Sequence, residues 1–355
     1  MLSIVKEPQP INYSRSIPDL VIQTDGVHSE ITMEIALGET NVIISEKYDV
    51  TPDNKIVIKL KDILGFYLEN NMPQYSDLIT IHEDAFKSFR ITVSEVGYTI
   101  IRDYQVISGF LRVQPFDIEH YFRNYWLNLL PSISKVYLNQ PLYLTALPSK
   151  AVTVKIKAKM SNGEEKVISA GNMLANKLQS VNLNPQKVMQ LLAGEFQYFD
   201  VFTVDSQDDL IHGYKRFYYD GTYNYQSDIF LYLNRLGGWD CLVINGENII
   251  RNIDNRSTAI VQDKEVEFDY DHKLEFEKST GFMATEEDHR QYLDFIASRK
   301  KYFLHNGTLV PIVTSENKID HSIGKLNSYS FVFRLANIDG YFPEIGLAPY
   351  HLNIT

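Results

Sequence analysis

Along most of this chain apolar residues recur at every second position, in short bursts broken by turn residues. That is the spacing of half-buried strands rather than of helices. In ITMEIAL, Ile31, Met33, Ile35 and Leu37 alternate with polar or small neighbours, and NVIIS follows after a turn at Gly38. KIVIKL sets Ile56, Ile58 and Leu60 on one face and Val57 and Lys59 on the other, behind a TPDN turn at Thr51 to Asn54. The stretch from Ser88 to Val113 reads as three strands with Gly97 and Gly109 near the bends. Regularly spaced short strands predict an antiparallel β-sandwich, here over residues 18–130. Residues 1–17, which open on a run holding Pro8 and Pro10 and lead to Pro18, predict an N-terminal arm.

A second sandwich module is expected over 131–225. Its hairpin turns at Asn162-Gly163, a pair that tolerates the positive φ of a tight reversal. LQSVNLNPQKVMQLL and EFQYFDVFTVD then sit where KYDVTPDNKIVIKLKDIL and SFRITVSEVG sit in the first module, an internal repeat. PQKVMQLLAG also admits a short helix, with Val188, Leu191 and Leu192 at i, i+3 and i+4.

The texture changes over 226–355. SDIFLYL and WDCLVIN predict a strand pair around Gly237-Gly238, and EVEFDYDHKLEFEK alternates through Val266, Phe268 and Tyr270. Thr285 followed by Asp288 is a capping-box variant that opens a helix over 286–300. Tyr292, Phe295 and Ile296 form its buried stripe, and Arg299, Lys300 and Lys301 suit its negative end. A hairpin at Asn306-Gly307 and a closing strand in SYSFVFRLAN follow. The predicted fold is mainly β: tandem antiparallel β-sandwich modules, then a C-terminal α+β domain with one amphipathic helix.

Composition sharpens this picture. The 355 residues include 23 Tyr and 19 Phe, and aromatic residues favour a pleated, half-buried surface. A net charge of -11 argues against a protein that tracks phosphates, so nucleic acid is not an expected partner. The start lacks an apolar signal core and a small-residue cleavage site, and no run approaches the length of apolar chain that spans a bilayer. A single cysteine, Cys241, forms no intrachain disulfide, which suits assembly in a reducing cytoplasm. The sequons at Asn12, Asn255, Asn306 and Asn353 then read as chance matches.

Candidate chemistry is sparse. There is no G-x-S-x-G elbow, and Cys241 lies inside the apolar WDCLVI with no nucleophile signature around it. The nine histidines show no paired helical spacing. Asp269, Asp271 and His272 form a D-x-D-H cluster that reads as a solvated strand, and Asp205 to Asp209 reads as a turn, without the glycine of a calcium loop. The D-G pairs at Asp25, Asp220 and Asp339 read as turns. No catalytic residue, metal or cofactor is expected. The one chemical hint is RFYYDGTYNYQ, where Tyr218, Tyr219, Tyr223 and Tyr225 surround a D-G turn. Such rings serve a protein contact or a strand edge, or stack on a sugar.

The order of parts carries a resemblance. LNRLGGWDCLVINGE, then KSTGFMATEEDHRQYLDFIASRKKYFLHNGTLVPIVTSE, then YSFVFRLAN resemble uncharacterised proteins of phages and prophages of gut Bacteroidetes, associated with tail or other virion structure. The similarity is strongest over Asp228 to Asn337. It implies a non-enzymatic virion component, assembled in the host cytoplasm as a homo-oligomeric ring or tail-end structure with other virion proteins as partners. It transfers no catalytic residue. The alternative is a carbohydrate-binding or adhesion module at a cell surface, marked by an exposed flat Tyr/Trp platform. A hydrolase with unrecognised carboxylates is a third reading.

Overall fold

A computed structural model describes the backbone of residues 2–24, 30–49, 53–111, 117–222, 227–261, 264–283, 285–305, 307–315, 319 and 327–336; the side chains at 30, 252, 254–255, 261 and 268–273 fall outside that description. The chain forms two compact units, Met1–Asp220 with Asn234–Asp240, and Gly221–Leu233 with Cys241–Thr355.

The first unit holds two sandwiches built on one plan. The larger sheet of the first orders its strands Ile11–Tyr13, Tyr98–Ile107, Phe86–Glu95, Glu30–Leu37, Asn41–Asp49. That of the second orders Ile133–Val136, Lys215–Tyr219, Phe196–Val204, Val152–Met160, Glu165–Met173. In both, the first-named strand runs parallel to its neighbour and every other pair is antiparallel. The repeat seen in the sequence is thus a repeat of topology, and the strand order is that of the extended larger sheet in an immunoglobulin-type sandwich. Each sheet is not purely antiparallel, because an early strand returns to lie beside the last one.

The smaller sheets depart from the plan in a telling way. The first consists of Ser3–Lys6, Leu20–Gln23 and Lys55–Ile58. The second pairs Tyr143–Ala146 with Gln179–Asn182, and its third strand, Ile79–Ile81, comes from the chain between Lys55–Ile58 and Phe86–Glu95 of the first repeat. His82 N donates to Leu178 O at 2.9 Å and Asn182 N to Leu78 O at 2.8 Å, closing that ladder. A division at 130/131 therefore does not separate two self-contained sets of sheets. Nor do residues 1–17 form a free arm: they supply one strand to each sheet of the first sandwich, and Ile11 and Tyr13 are buried.

Alternation fills the cores. Ile31, Met33 and Ile35 face Ile22 and Ile56 in the first sandwich, while Val154, Ile156 and Phe199 join Leu144 and Val181 in the second. Leu60 stays buried although it opens a short helix, Leu60–Leu64, rather than ending a strand. The Asn/Pro segment of the second repeat is the helix Pro185–Leu192. Asn184 caps it, accepting from Gln186 N at 3.0 Å and Lys187 N at 3.3 Å. Its buried stripe is Pro185, Val188 and Leu192; Leu191 faces solvent. Of the three strands expected over 88–113, two form among the described residues, turning at Gly97 with φ 83°, and 112–113 lie outside that description. After Gly109, Phe110 N instead donates to Arg235 O at 2.7 Å. A further cluster of Tyr13, Ile118, Phe122, Leu127 and Leu236 packs the two sandwiches against the Asn234–Asp240 loop.

The second unit is a seven-stranded sheet in the order Trp239–Ile244, Asp228–Leu233, Lys301–His305, Thr308–Thr314, Asn327–Leu335, Lys264–Met283, Asn248–Val261. Asn327–Leu335, expected as a closing strand, lies inside the sheet. The helix Glu286–Ala297 packs Tyr292 and Phe295 against Tyr329 and Phe331, and its capping box is complete: Thr285 Oγ1 accepts from Asp288 N at 3.1 Å and Asp288 accepts from Thr285 N at 3.2 Å. The helix stops short of the expected 300. Ser298 leaves helical geometry, its hydroxyl donating to a strand carbonyl at Leu233, and Lys301 enters a strand instead of ending a helix. The strand Lys264–Met283 slips register between Glu267 and Asp269, which breaks the alternation read through Val266, and Val266 is exposed. Among the described residues no helix is long and apolar enough to cross a membrane.

A candidate interaction face on the second sandwich

In Val152–Met160 the small and branched residues Val154, Ile156 and Ala158 turn inward, which leaves Lys155, Lys157 and Lys159 on the outer surface of the sheet. Registers extend that surface across all five strands. One row reads Lys135, Tyr218, Tyr198, Lys159, Glu165; the next reads Ile133, Arg216, Asp200, Lys157, Val167; Phe202, Lys155 and Ser169 begin a third. Tyr214 packs on Phe202 with ring centroids 4.6 Å apart and the rings tilted by 39°. Ile133 and Val167, at the two margins, are 64% and 59% exposed.

Arg216 organises the middle of this face. It holds Asp200 bidentately, at 2.7 and 2.8 Å, and its guanidinium lies 4.4 Å from the centre of the Tyr198 ring. The Asp200 carboxylate is the main reason its proton is held even more firmly than usual. Lys157 and Lys159 share Glu165, at 3.4 and 4.0 Å, while Lys155 has no ion-pair partner among the described residues. Three lysines at alternate positions of one strand repel one another, and a single carboxylate leaves an excess of positive charge.

The tyrosines expected at the D-G turn separate. Tyr218 points outward, 39% exposed, and meets Tyr198 at 5.3 Å with the rings tilted by 47°. Tyr219 points the other way and packs on the core beside Phe196, at 5.7 Å. Tyr223 and Tyr225 lie outside the described residues. Both tryptophans are buried: Trp126 donates to Gly213 O and Trp239 to Asn70 Oδ1. The outer face was legible in VTVKIKAKM as lysine at every second position; its aromatic rows depend on register and were not.

Other candidate chemistry is built into the interior. Cys241 is buried in its strand. Ser180 Oγ, His82 Nε2 and Thr145 Oγ1 form a chain of 2.7 Å contacts that has the outline of a nucleophile and base, but Ser180 is 1% exposed. Burial pulls His82 down to about 4, against a hydrogen bond to the Asn71 backbone. A cleft of about 230 Å³ beside it is lined by His82, Ser88, Gln105 and Lys177, and not by Ser180. His212, hydrogen-bonded to Thr203 at 2.6 Å and packed on Trp126, is held at about 4 by burial. Asp205 accepts from Gln207 N and Asp209 N, which makes 205–209 a turn. The side chains of Asp269, Asp271 and His272 lie outside the described residues, as do Asp25 and Asp339. Among the described residues no three His, Cys, Asp or Glu side chains gather into a group fit for a metal.

No family model and no curated protein matches the sequence. Among solved structures the chain is similar to the BSP domain of a biofilm associated protein, with 9% identity over 61% of this chain and 29% of that one, at a TM-score of 0.17. It is similar to three N-terminal domains of the bacteriophage RB49 Highly Immunogenic Outer Capsid protein, with 8% identity over 63% of this chain and 70% of that one, at a TM-score of 0.17. It is also similar to the N-terminal four Ig domains of Dscam1 isoform 7.44, with 8% identity over 93% of this chain and 76% of that one, at a TM-score of 0.16. Scores this low do not extend to a shared overall fold. The chain spans less than a third of the length of the first of these.

Proposed function

We propose that this chain is a non-enzymatic structural subunit that works through sheet-face contacts with copies of itself and with neighbouring proteins, as a component of a phage tail or tail-end assembly. The observation that carries this reading is the outer face of the second sandwich. It joins exposed branched residues, tyrosines and lysines over five strands, a mixture suited to a protein contact, in which aromatic rings supply area and charges supply register. The resemblance of residues 228–337 to phage and prophage proteins supplies the virion context. The carbohydrate alternative asks for an open, flat aromatic platform. Tilted rings, with Arg216 already lying over Tyr198, favour the protein contact over it.

The test is sedimentation of the purified full chain over a wide concentration range, alone and with the products of its neighbouring genes. A concentration-dependent assembly, or co-assembly, is expected. A chain that remains monomeric under all these conditions sinks the reading. Binding on a glycan array that Tyr218→Ala abolishes would move the chain to the adhesion class.

A further inference from the structure

The strand Lys264–Met283 pairs with Asn327–Leu335 only from Phe276 to Met283, yet it pairs with Asn248–Val261 as far as Val261 opposite Lys264. Among the described residues, eleven cross-strand pairs from Arg251 opposite Glu275 outward therefore continue as a two-stranded ribbon, roughly 35 Å long at about 3.3 Å per residue. Two strands alone are marginally stable in water and present unpaired backbone on both edges. Ion pairing between its strands, such as Arg256 with Glu267 at 3.4 Å, ties the ribbon together. Its sequence from 251 to 275 carries seven carboxylates against four cations. Glu265, Glu267, Ile260 and Val266 near its tip are all exposed.

We infer that the acidic ribbon of one copy docks on the lysine-rich outer face of the second sandwich of another copy. The proposal rests on the self-assembling role given above and names its contact. The two surfaces complement each other in charge and in kind. Lys157 and Lys159 share one carboxylate and Lys155 has no ion-pair partner among the described residues. Ile133 and Val167 at the margins of the face offer apolar area to Ile260, which stands opposite Glu265 and so shares the ribbon face of Glu265 and Glu267. A five-stranded face is roughly 20 Å across at about 4.8 Å per strand, so a ribbon of this length crosses it. Made once per pair of copies, a contact between two different surfaces is head-to-tail, the class that closes into a ring or runs on as an open helical filament. A sheet face with aromatics and cations also describes sites for single-stranded nucleic acid. The bidentate hold of Asp200 on Arg216 and the net charge of -11 favour the acidic protein ribbon instead.

The experiment is sedimentation velocity on the full chain, with Lys155→Glu/Lys157→Glu/Lys159→Glu, with Glu265→Lys/Glu267→Lys, and with both sets combined, each checked for native circular dichroism. Alongside it, the unaltered protein, mixed from light and heavy isotope preparations, is treated with a zero-length carbodiimide. Each reversal alone weakens assembly by at least about tenfold, the combination restores it, and lysines of the face crosslink to ribbon carboxylates between light and heavy copies. If the protein assembles but the reversals leave assembly unchanged, the docking is wrong and self-assembly stands. If no assembly occurs at any concentration, the self-assembly reading fails and takes the docking with it. Crosslinks confined to single copies, or oligothymidine binding that the lysine reversals abolish, overturn the docking as well.

Discussion

Asn234 donates its amide to the Asp240 carboxylate at 2.7 Å while its oxygen accepts the N–H groups of Leu236 at 2.8 Å and Gly238 at 3.0 Å, so one side chain both shapes the loop 234–240 and tethers its end. Asp240 also accepts from Asn128 Nδ2 at 2.6 Å and Leu129 N at 2.9 Å. Full burial raises its pKa, and these donors oppose the rise. Asp240→Asn brings an N–H group against a shell made only of donors, and Asp240→Ala strands three of them. Losses of about 1–3 kcal/mol for the amide, and more for alanine, are expected in urea unfolding. An Asp240→Asn protein as stable as the parent would show that the cage does not hold this loop.

The double glycine of the same loop has two different causes. Gly237 sits at φ 84°, a conformation that side chains rarely adopt, whereas a Cβ on Gly238 would lie 2.1 Å from the Leu127 carbonyl oxygen. The second constraint is a close approach of backbone, which a flexible side chain cannot relieve. Gly238→Ala is expected to cost about 1–3 kcal/mol. Equal melting temperatures for the parent and the variant would mean that Leu127 can retreat freely.

The borrowed strand Ile79–Ile81 makes the second sandwich depend on the first. Opposite Ser180, Thr80 falls between the bonds of His82 N to Leu178 O and Asn182 N to Leu78 O, which places its own N–H in the ladder. Thr80→Pro removes that donor and is expected to cost about 3 kcal/mol, leaving the edge of Gln179–Asn182 open to other chains. Limited proteolysis should cut this variant near residues 79–81 and light scattering should rise. Protection equal to that of Thr80→Ala would mean that the strand is dispensable.

These outcomes also locate what could be read in the sequence. Period-two alternation in ITMEIAL and VTVKIKAKM, the Thr285 to Asp288 capping box and the parallel order of the two repeats are local signals, and each corresponds to an observed element. Ile79–Ile81 is three residues long and carries no alternation of its own, so its pairing with a distant repeat leaves no local mark. Residues 1–17 read as an arm because prolines punctuate them, although short strands fit between the prolines. The ribbon hides for another reason: its strands alternate no differently inside and outside the sheet, and only the end of pairing with Asn327–Leu335 separates the two.

Two buried imidazoles set an acid limit. Burial lowers His82 and His212 from 6.5 to about 4, so between those values the unfolded chain binds more protons than the folded one. Their stabilising contribution is complete above the unfolded pKa and is lost as pH falls through about 4, at about 3 kcal/mol each. Urea midpoints measured from pH 7 to pH 4 should fall steeply. His82→Gln and His212→Gln should each remove about one proton from the slope. Parallel pH curves for parent and variants would show that neither histidine is neutral in the fold.

Tyr218 and Tyr219 offer the sharpest separation of function from stability. They are adjacent on Lys215–Tyr219, so the pleat sends them to opposite sides: Tyr218 to Tyr198 and the outer face, Tyr219 to Phe196 and the core. Tyr219→Ala removes packing and is expected to cost on the order of 2 kcal/mol. Tyr218→Ala removes a half-exposed ring and should change stability by less than about 1 kcal/mol. If the outer face is a subunit contact, the order reverses for assembly, since an aromatic near the middle of an interface contributes more than its neighbours. Tyr218→Ala should then weaken self-association severalfold while melting like the parent, and Tyr219→Ala should associate normally below its lowered melting point. Sedimentation and melting curves on the same three proteins decide the matter. A Tyr218→Ala chain that assembles like the parent would remove this ring from the contact.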